Sequence, residues 1–369
     1  MKLEILQENL SSALNQIHRV IPNKPQLPIL SSILISAEEN KITLAATDLY
    51  VGIKTSVPGK VTKPTDIAVP GRIFYNSITS LNPGKISLSL DGDTLTISSS
   101  SNTTTIQCLD PEEFPEFPKL KGEEYSLEAT SIEKIQDMVS FSASIDLTRP
   151  VLTSLLFQFN QDGLLVVGTD GFRLATLRLP AEKKKSEAQF LVPAKAMVEA
   201  AKIILVQEIE KVKLSVSSEL KQAVIKIGST QLYIRLIEGE YPPFQRIIPS
   251  DFSVEVELDG VEFESQLKRA QVFARESSNI IRLEVEEGEF KIMAFSPTYG
   301  KQEGKMQAEM IKGNKGEIAF NSKYLLDFIS ALKPEKIRFY MNESLTPAMF
   351  RPVNQKDYQY IAMPFRVNE

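Results

Sequence analysis

Val69-Pro70-Gly71-Arg72 recurs as Val192-Pro193-Ala194-Lys195 and, more loosely, as Phe320-Asn321-Ser322-Lys323, at spacings of 123 and 128 residues. Each copy opens a helix-like stretch that runs into a strand: Lys85-Ile86-Ser87-Leu88, Lys211-Val212-Lys213-Leu214 and Lys336-Ile337-Arg338-Phe339. Two further anchors keep the same order. A strand with a small polar corner, residues 42–48, returns at 164–170 and 290–296. A closing strand reads Ile106-Gln107-Cys108-Leu109, Ile234-Arg235-Leu236-Ile237 and Ile361-Ala362-Met363-Pro364. Four collinear anchors in 369 residues mark three copies of one domain, at 1–122, 123–247 and 248–369. The period lies far above the roughly 20–50 residues of a solenoid, so each copy can bury its own core. Such a repeat suggests internal rotational symmetry around something encircled or lined.

Within a copy the pattern is rich in strands. Alternation marks 85–90, 94–98, 211–216 and 223–227, and Asp91-Gly92 and Asp162-Gly163 are hairpin turns. Two helices interrupt each copy. The early one is expected at 6–20, 131–142 and 261–276, and the later one at 72–81, 194–206 and 322–332. Leu10, Leu14 and Ile17, like Leu325, Phe328 and Ile329, form apolar stripes at helical spacing. Pro70 and Pro193 precede their helices, where a missing N–H costs little. The fold class is therefore α+β: three similar domains, each two helices laid on antiparallel sheet. The Pro-rich stretches 110–122 and 241–249 read as linkers.

Composition narrows the function. At 42% hydrophobic and 24% charged residues, the chain is globular. A net charge of −5 argues against an ordinary DNA-binding domain, yet an acidic exterior can coexist with a basic lining. The single Cys108 forms no internal disulfide, and residues 1–8 lack an apolar core of signal-peptide length, so a cytoplasmic location is expected. No stretch approaches the ~20 apolar residues of a membrane helix. One His and one Cys leave no His/Cys zinc site, and His18 reads as structural. Pro83-Gly84-Lys85 and Pro58-Gly59-Lys60 lack phosphate-loop spacing. Glu286-Glu287 has no placed partner, and Lys183, Lys184 and Lys185 read as a solvated loop. No catalytic residue, metal or cofactor is expected. A secreted adhesive repeat protein or a carboxylate hydrolase is the alternative reading.

Two features stand out from this background. The later helix opens with a cation in every copy: Arg72, Lys195 and Lys323. Related by rotation, these charges would face one axis and suit a polyanion held by phosphate contact without base reading. The second is an apolar set outside copy one. Thr169-Asp170-Gly171-Phe172-Arg173-Leu174 places an aromatic beside an Asp-Gly turn, and the chain stays apolar through Tyr360-Ile361-Ala362-Met363-Pro364-Phe365. Alternate residues of that last strand can serve a core and a partner groove at once.

The chain resembles, end to end, the bacterial replicative DNA polymerase sliding clamp, or beta subunit. Its marks are Leu27-Pro28-Ile29-Leu30, Thr47-Asp48-Leu49, Val69-Pro70-Gly71-Arg72, Phe114-Pro115, Thr169-Asp170-Gly171-Phe172-Arg173-Leu174-Ala175, Tyr241-Pro242, Phe320-Asn321, Ala331-Leu332-Lys333 and Met363-Pro364-Phe365-Arg366. The resemblance implies the DNA clamp fold, closing into a ring as a head-to-tail homodimer with helices lining the hole. It implies a non-catalytic processivity factor that encircles double-stranded DNA. Its partners would be the replicative polymerase, a clamp loader, and replication and repair proteins carrying short motifs with a Leu and often a Phe. The motif groove would use Leu152, Thr169, Gly171, Phe172, Arg173, Leu174, Pro242, Ile247, Asn321, Tyr324, Leu345, Ile361, Met363, Pro364, Phe365 and Arg366. DNA contacts would fall on Lys24, Arg72, Arg149, Lys195, Arg246 and Arg282. The dimer contact would pair Val272 and Phe273 with the strand around Thr104 and Ile106. Arg149-Pro150-Val151 stands where some relatives carry aromatics, Phe172 where some carry histidine, and residues 99–105 lack interface arginines seen in some.

Overall fold

The computed structural model of the protein describes residues 2–120, 122–181, 187–286 and 288–366. The lysine run at 183–185 and Glu287 lie outside the described residues. Among the described residues six α-helices form, two per copy: α1 Gln7–Ile17, α2 Gly71–Thr79, α3 Ala129–Met138, α4 Ala194–Gln207, α5 Gly260–Ala274 and α6 Ser322–Leu332. The early helices are shorter than the pattern suggested because α1 and α3 run out into 3-10 turns at His18–Val20 and Ser140–Ser142. Local chemistry sets the starts. Pro70 is both the last residue of its strand and the N-cap of α2. Asp259 and Asn321 cap α5 and α6 by accepting from the Glu262 and Lys323 amides. α6 stops at Lys333, which is left-handed at φ 43°. The expected stripes face inward: Leu14, Ile17, Leu325 and Phe328 are fully buried.

By contacts the chain forms two compact units, Met1–Ile132 with Val198–Leu236, and Glu133–Met197 with Ile237–Glu369. These do not follow the repeat, because sheets run across its borders. The first unit holds a five-stranded and an eight-stranded antiparallel sheet. In the eight-stranded one, Val51–Pro58 of copy one pairs with Thr230–Arg235 of copy two. The second unit holds a nine-stranded and a four-stranded sheet. In its nine-stranded sheet Arg173–Leu179 of copy two pairs with Tyr358–Ala362 of copy three. The two junctions are equivalent, and they correct the closing anchor. Val51 pairs with Ile234, and its counterpart Arg173 pairs with Ala362, so Ile361 corresponds to Tyr233. A slip of one residue swaps the faces of a strand, and the local sequence cannot show it.

Each unit has its own core. In the first, α1 lies on Val51–Pro58 and against α2. A buried polar knot joins it to copy two: Gln207 donates to Gln16 (3.1 Å) and to Thr230 Oγ1 (2.6 Å), and Thr230 lies 2.7 Å from Thr55 Oγ1. In the second, α5 packs on the four-stranded sheet and against α6. Phe339 and Phe350 rings sit 4.9 Å apart and Phe328 stacks on Tyr360 at 4.9 Å. Pairs of this kind add about 0.5–1.5 kcal/mol each beyond area burial. His18 stacks on Tyr75 at 4.1 Å, a structural role.

Candidate partner groove and cationic positions

The corner at 169–174 is built by its own side chains. Thr169 Oγ1 accepts from the Gly171 amide (3.0 Å) and donates to the Arg173 carbonyl (2.6 Å). Asp170 Oδ1 accepts from the Phe172 and Arg173 amides. Such turns need a left-handed residue, and Gly171 supplies it at φ 94°. Copy one repeats the network through Thr47 and Asp48, with Leu49 bearing the left-handed strain at φ 73°.

Tertiary contacts bring this corner of copy two against copy three, where it forms one wall of the candidate groove. The Met363 amide donates to the Phe172 carbonyl at 2.9 Å. Phe172 stacks on Tyr324 at 6.3 Å and remains 54% exposed. The Arg173 guanidinium lies 5.0 Å over the Tyr324 ring and ion-pairs with Asp170 (3.0 Å) and with Asp327. Burial works against that charge, but Tyr360, Asp327 and Asp170 outweigh it and hold the Arg173 pKa above its ordinary value. Burial likewise raises Tyr324, as it does Tyr360, whose hydroxyl donates to the Tyr324 carbonyl at 2.8 Å.

The apolar floor comes from the nine-stranded sheet. Leu174 and Ile361 are fully buried there and cluster with Val167, Tyr241 and Phe244; Val151, Ile247 and Ile248 pack against them. Thr169, Leu174 and Ile361 therefore support the groove from beneath rather than offer surface. The surface comes from Phe172, from half-buried Leu152, Tyr324, Ile247, Met363 and Pro364, and from exposed Gly171 and Pro242. Asn321 is committed to capping α6. Phe365 is 46% exposed and Leu345 53% exposed. Arg366 is also exposed. Phe141 was missed by the sequence reading, although it lies 5.7 Å from the Arg173 guanidinium and 5.8 Å from Tyr360. Its only local signal is its place just past α3, which resembles many core positions.

The cations divide. Arg72 and Lys195 are the second residues of α2 and α4, and Lys323 of α6; all three are exposed. Arg72 donates to Asn23, which brings exposed Lys24 beside it. Arg149 is shared with Asp146 at 3.3 Å, and Arg246 is exposed on the linker turn Phe244–Ile247. Arg282 stands apart from the other cations. Its neighbours Ile281 and Leu283 are buried toward α5, so Arg282 points to the opposite face of the four-stranded sheet, where it pairs with Glu317 at 2.9 Å. At the expected dimer contact, Thr104 and Ile106 lie on Thr103–Gln107, an edge strand. Val272 is 63% exposed on α5, with Phe273 half-buried beside it.

Among the described residues no three His, Cys, Asp or Glu side chains gather as a metal site, and no helix is long and apolar enough to cross a membrane. Repeated α+β domains and sheets continued across their borders define the class: the DNA clamp fold. Family models for the DNA polymerase III beta subunit match its N-terminal domain at 1–118, its central domain at 126–243 and its C-terminal domain at 245–366. A beta sliding clamp from Synechocystis is 29% identical over the full length of both chains, and one from Staphylococcus aureus is 27% identical over 99% of both. The solved DNA polymerase III beta subunit of Pseudomonas aeruginosa superposes over all of both chains with a TM-score of 0.94 at 27% identity. A sliding clamp from that organism, solved bound to griselimycin, reaches 0.93. The chain belongs to the DNA polymerase III beta subunit family, the non-catalytic sliding clamps that give a polymerase its processivity.

Proposed function

We propose that two copies of this chain close head to tail around duplex DNA and capture partner peptides in the groove between Phe172, Tyr324 and Met363. The observation that carries the ring is the recurring junction. Val51–Pro58 pairs with Thr230–Arg235, and Arg173–Leu179 with Tyr358–Ala362. The third pair of equivalents, Gly300–Gln307 of copy three and Thr103–Gln107 of copy one, consists of two unpaired sheet edges. Joining them between two chains makes the same junction again and leaves neither edge open. Val272 and Phe273 on α5, which packs on Gly300–Gln307, would meet the partner beside Thr104 and Ile106.

Three domains at 1–122, 123–247 and 248–369 then supply the lining. Lys24, Arg72, Arg149, Lys195 and Arg246 would contact phosphates; Arg282, on the far sheet face, is left out. A topological link holds the protein on DNA without tight binding, and sequence-independent contacts let it slide. The groove takes a short motif with a Leu and a Phe. Burying two such side chains yields roughly 3–6 kcal/mol before the costs of association, which suits exchange among polymerase, clamp loader and repair partners. A cytoplasmic site of action follows. The test is retention on DNA after loading by a clamp loader. Nicked circles should keep the protein and linear DNA should lose it from the ends; equal retention on unblocked linear DNA would overturn the ring.

A further inference from the structure

One face of the nine-stranded sheet carries a recess that the candidate groove does not use. Its volume is about 280 Å³. Leu165, Phe244 and Ile248 form its apolar side. They belong to, or pack on, the cluster that holds Leu174 and Ile361, so recess and groove share one floor. Leu174, Thr176 and Arg178 alternate onto the same face of their strand, as Ile361 and Gln359 do on the next. Two residues of strand advance about 7 Å, so the recess begins one side chain beyond the groove floor.

Its polar lining is unspent. Thr176 is only 6% exposed, lines the recess and has no hydrogen-bond partner for its hydroxyl among the described residues. The side chains of Gln158, Arg178, Gln245, Lys356 and Gln359 also line it and likewise make no hydrogen bond or ion pair there. Arg178, Gln245 and Lys356 are exposed and Gln158 and Gln359 half-buried, so this lining is open to solvent and uncommitted to the fold. Arg178 and Lys356 face one lining acid, Asp357, and the balance favours an anion.

We propose that this recess is an acidic subsite: a partner that seats its Leu/Phe motif in the groove places a flanking Asp or Glu against Arg178 and Lys356. The proposal rests on the groove reading. An extended peptide spans about 3.3 Å per residue, which puts that acid two or more residues from the motif.

The test is fluorescence anisotropy of the full-length protein with nine-residue labelled peptides. Each peptide carries a central Leu and Phe in a Ser background, with Glu or Gln at successive flanking positions. One Glu position should bind about fivefold tighter than its Gln counterpart, the scale of a partly exposed ion pair. Arg178→Ala and Lys356→Ala should erase that difference while leaving the all-Ser peptide unaffected. No Glu advantage at any position, or an advantage that survives both variants, overturns the subsite. Failure of the all-Ser peptide to bind, or binding unchanged by Phe172→Ala, instead overturns the groove reading and the subsite with it.

Discussion

The Arg173 guanidinium, with a side chain only 11% exposed, sits between Asp170, Asp327, Phe141 and Tyr324. It ties the corner of copy two to α6 of copy three, and the proposed groove wall depends on that tie. Arg173→Ala leaves Asp170, itself largely buried, without its charge partner and should cost about 1–3 kcal/mol in urea unfolding. Arg173→Lys should recover only part of it, because an ammonium cannot keep the forked contact and the ring stack together. The Thr230 hydroxyl plays a comparable part in the first unit. Fully buried, it lies within 2.9 Å of Gln16 and accepts from Gln207. Thr230→Val keeps the shape but leaves the buried Thr55 hydroxyl without its partner and takes one hydrogen bond from each of Gln16 and Gln207, and a loss of about 1–3 kcal/mol by the same measurement is expected.

Among the elements, the later helices pose a conflict of their own. Arg72, Lys195 and Lys323 stand in the first turn, the end where the helix dipole disfavours a cation by about 0.3–1 kcal/mol. Three recurrences at an unfavourable end fit retention for an external anion better than retention for helix stability. Arg72→Gln should leave the thermal midpoint unchanged or slightly raised, and should make retention on loaded DNA more sensitive to salt. A destabilised variant would show that the cation serves the fold. Helix α5 illustrates the opposite case, an element fixed by space. A Cβ at Gly260 would lie 1.9 Å from the Pro334 carbonyl oxygen, and the Gly260 amide donates to Glu335. Gly260→Ala must push the start of α5 off the end of α6 and should lower stability by about 1–3 kcal/mol.

At the scale of the whole molecule, stability and assembly separate. Cores lie within each unit, whereas Thr103–Gln107 and Gly300–Gln307 are edge strands, the two that the proposed ring would join. Val272→Glu puts a charge on an exposed α5 position beside the proposed seam. Sedimentation at micromolar concentration should then report a monomer with unchanged circular dichroism and melting. Retention on nicked circles should fall with it. A dimer of ordinary strength would move the seam elsewhere.

Local and periodic features were legible in one dimension: the domain repeat, two helices per copy, the Asp-Gly hairpins, and a cation at each later helix start. Pro, Gly and apolar spacing act over a few residues, so their signals survive in one dimension. Long-range packing set the register of the closing strand, the continuation of sheets across copy borders and the face on which Arg282 lies. It also decided the partners of Arg173, whose link to Asp327 spans 154 residues. Pairings between segments so far apart are chosen by packing and leave no nearby mark. The proposed groove was legible only as a set of candidate residues named through family resemblance. Its division into a buried floor and an exposed wall was not, because alternation along a strand gives no face until the neighbouring strand fixes it.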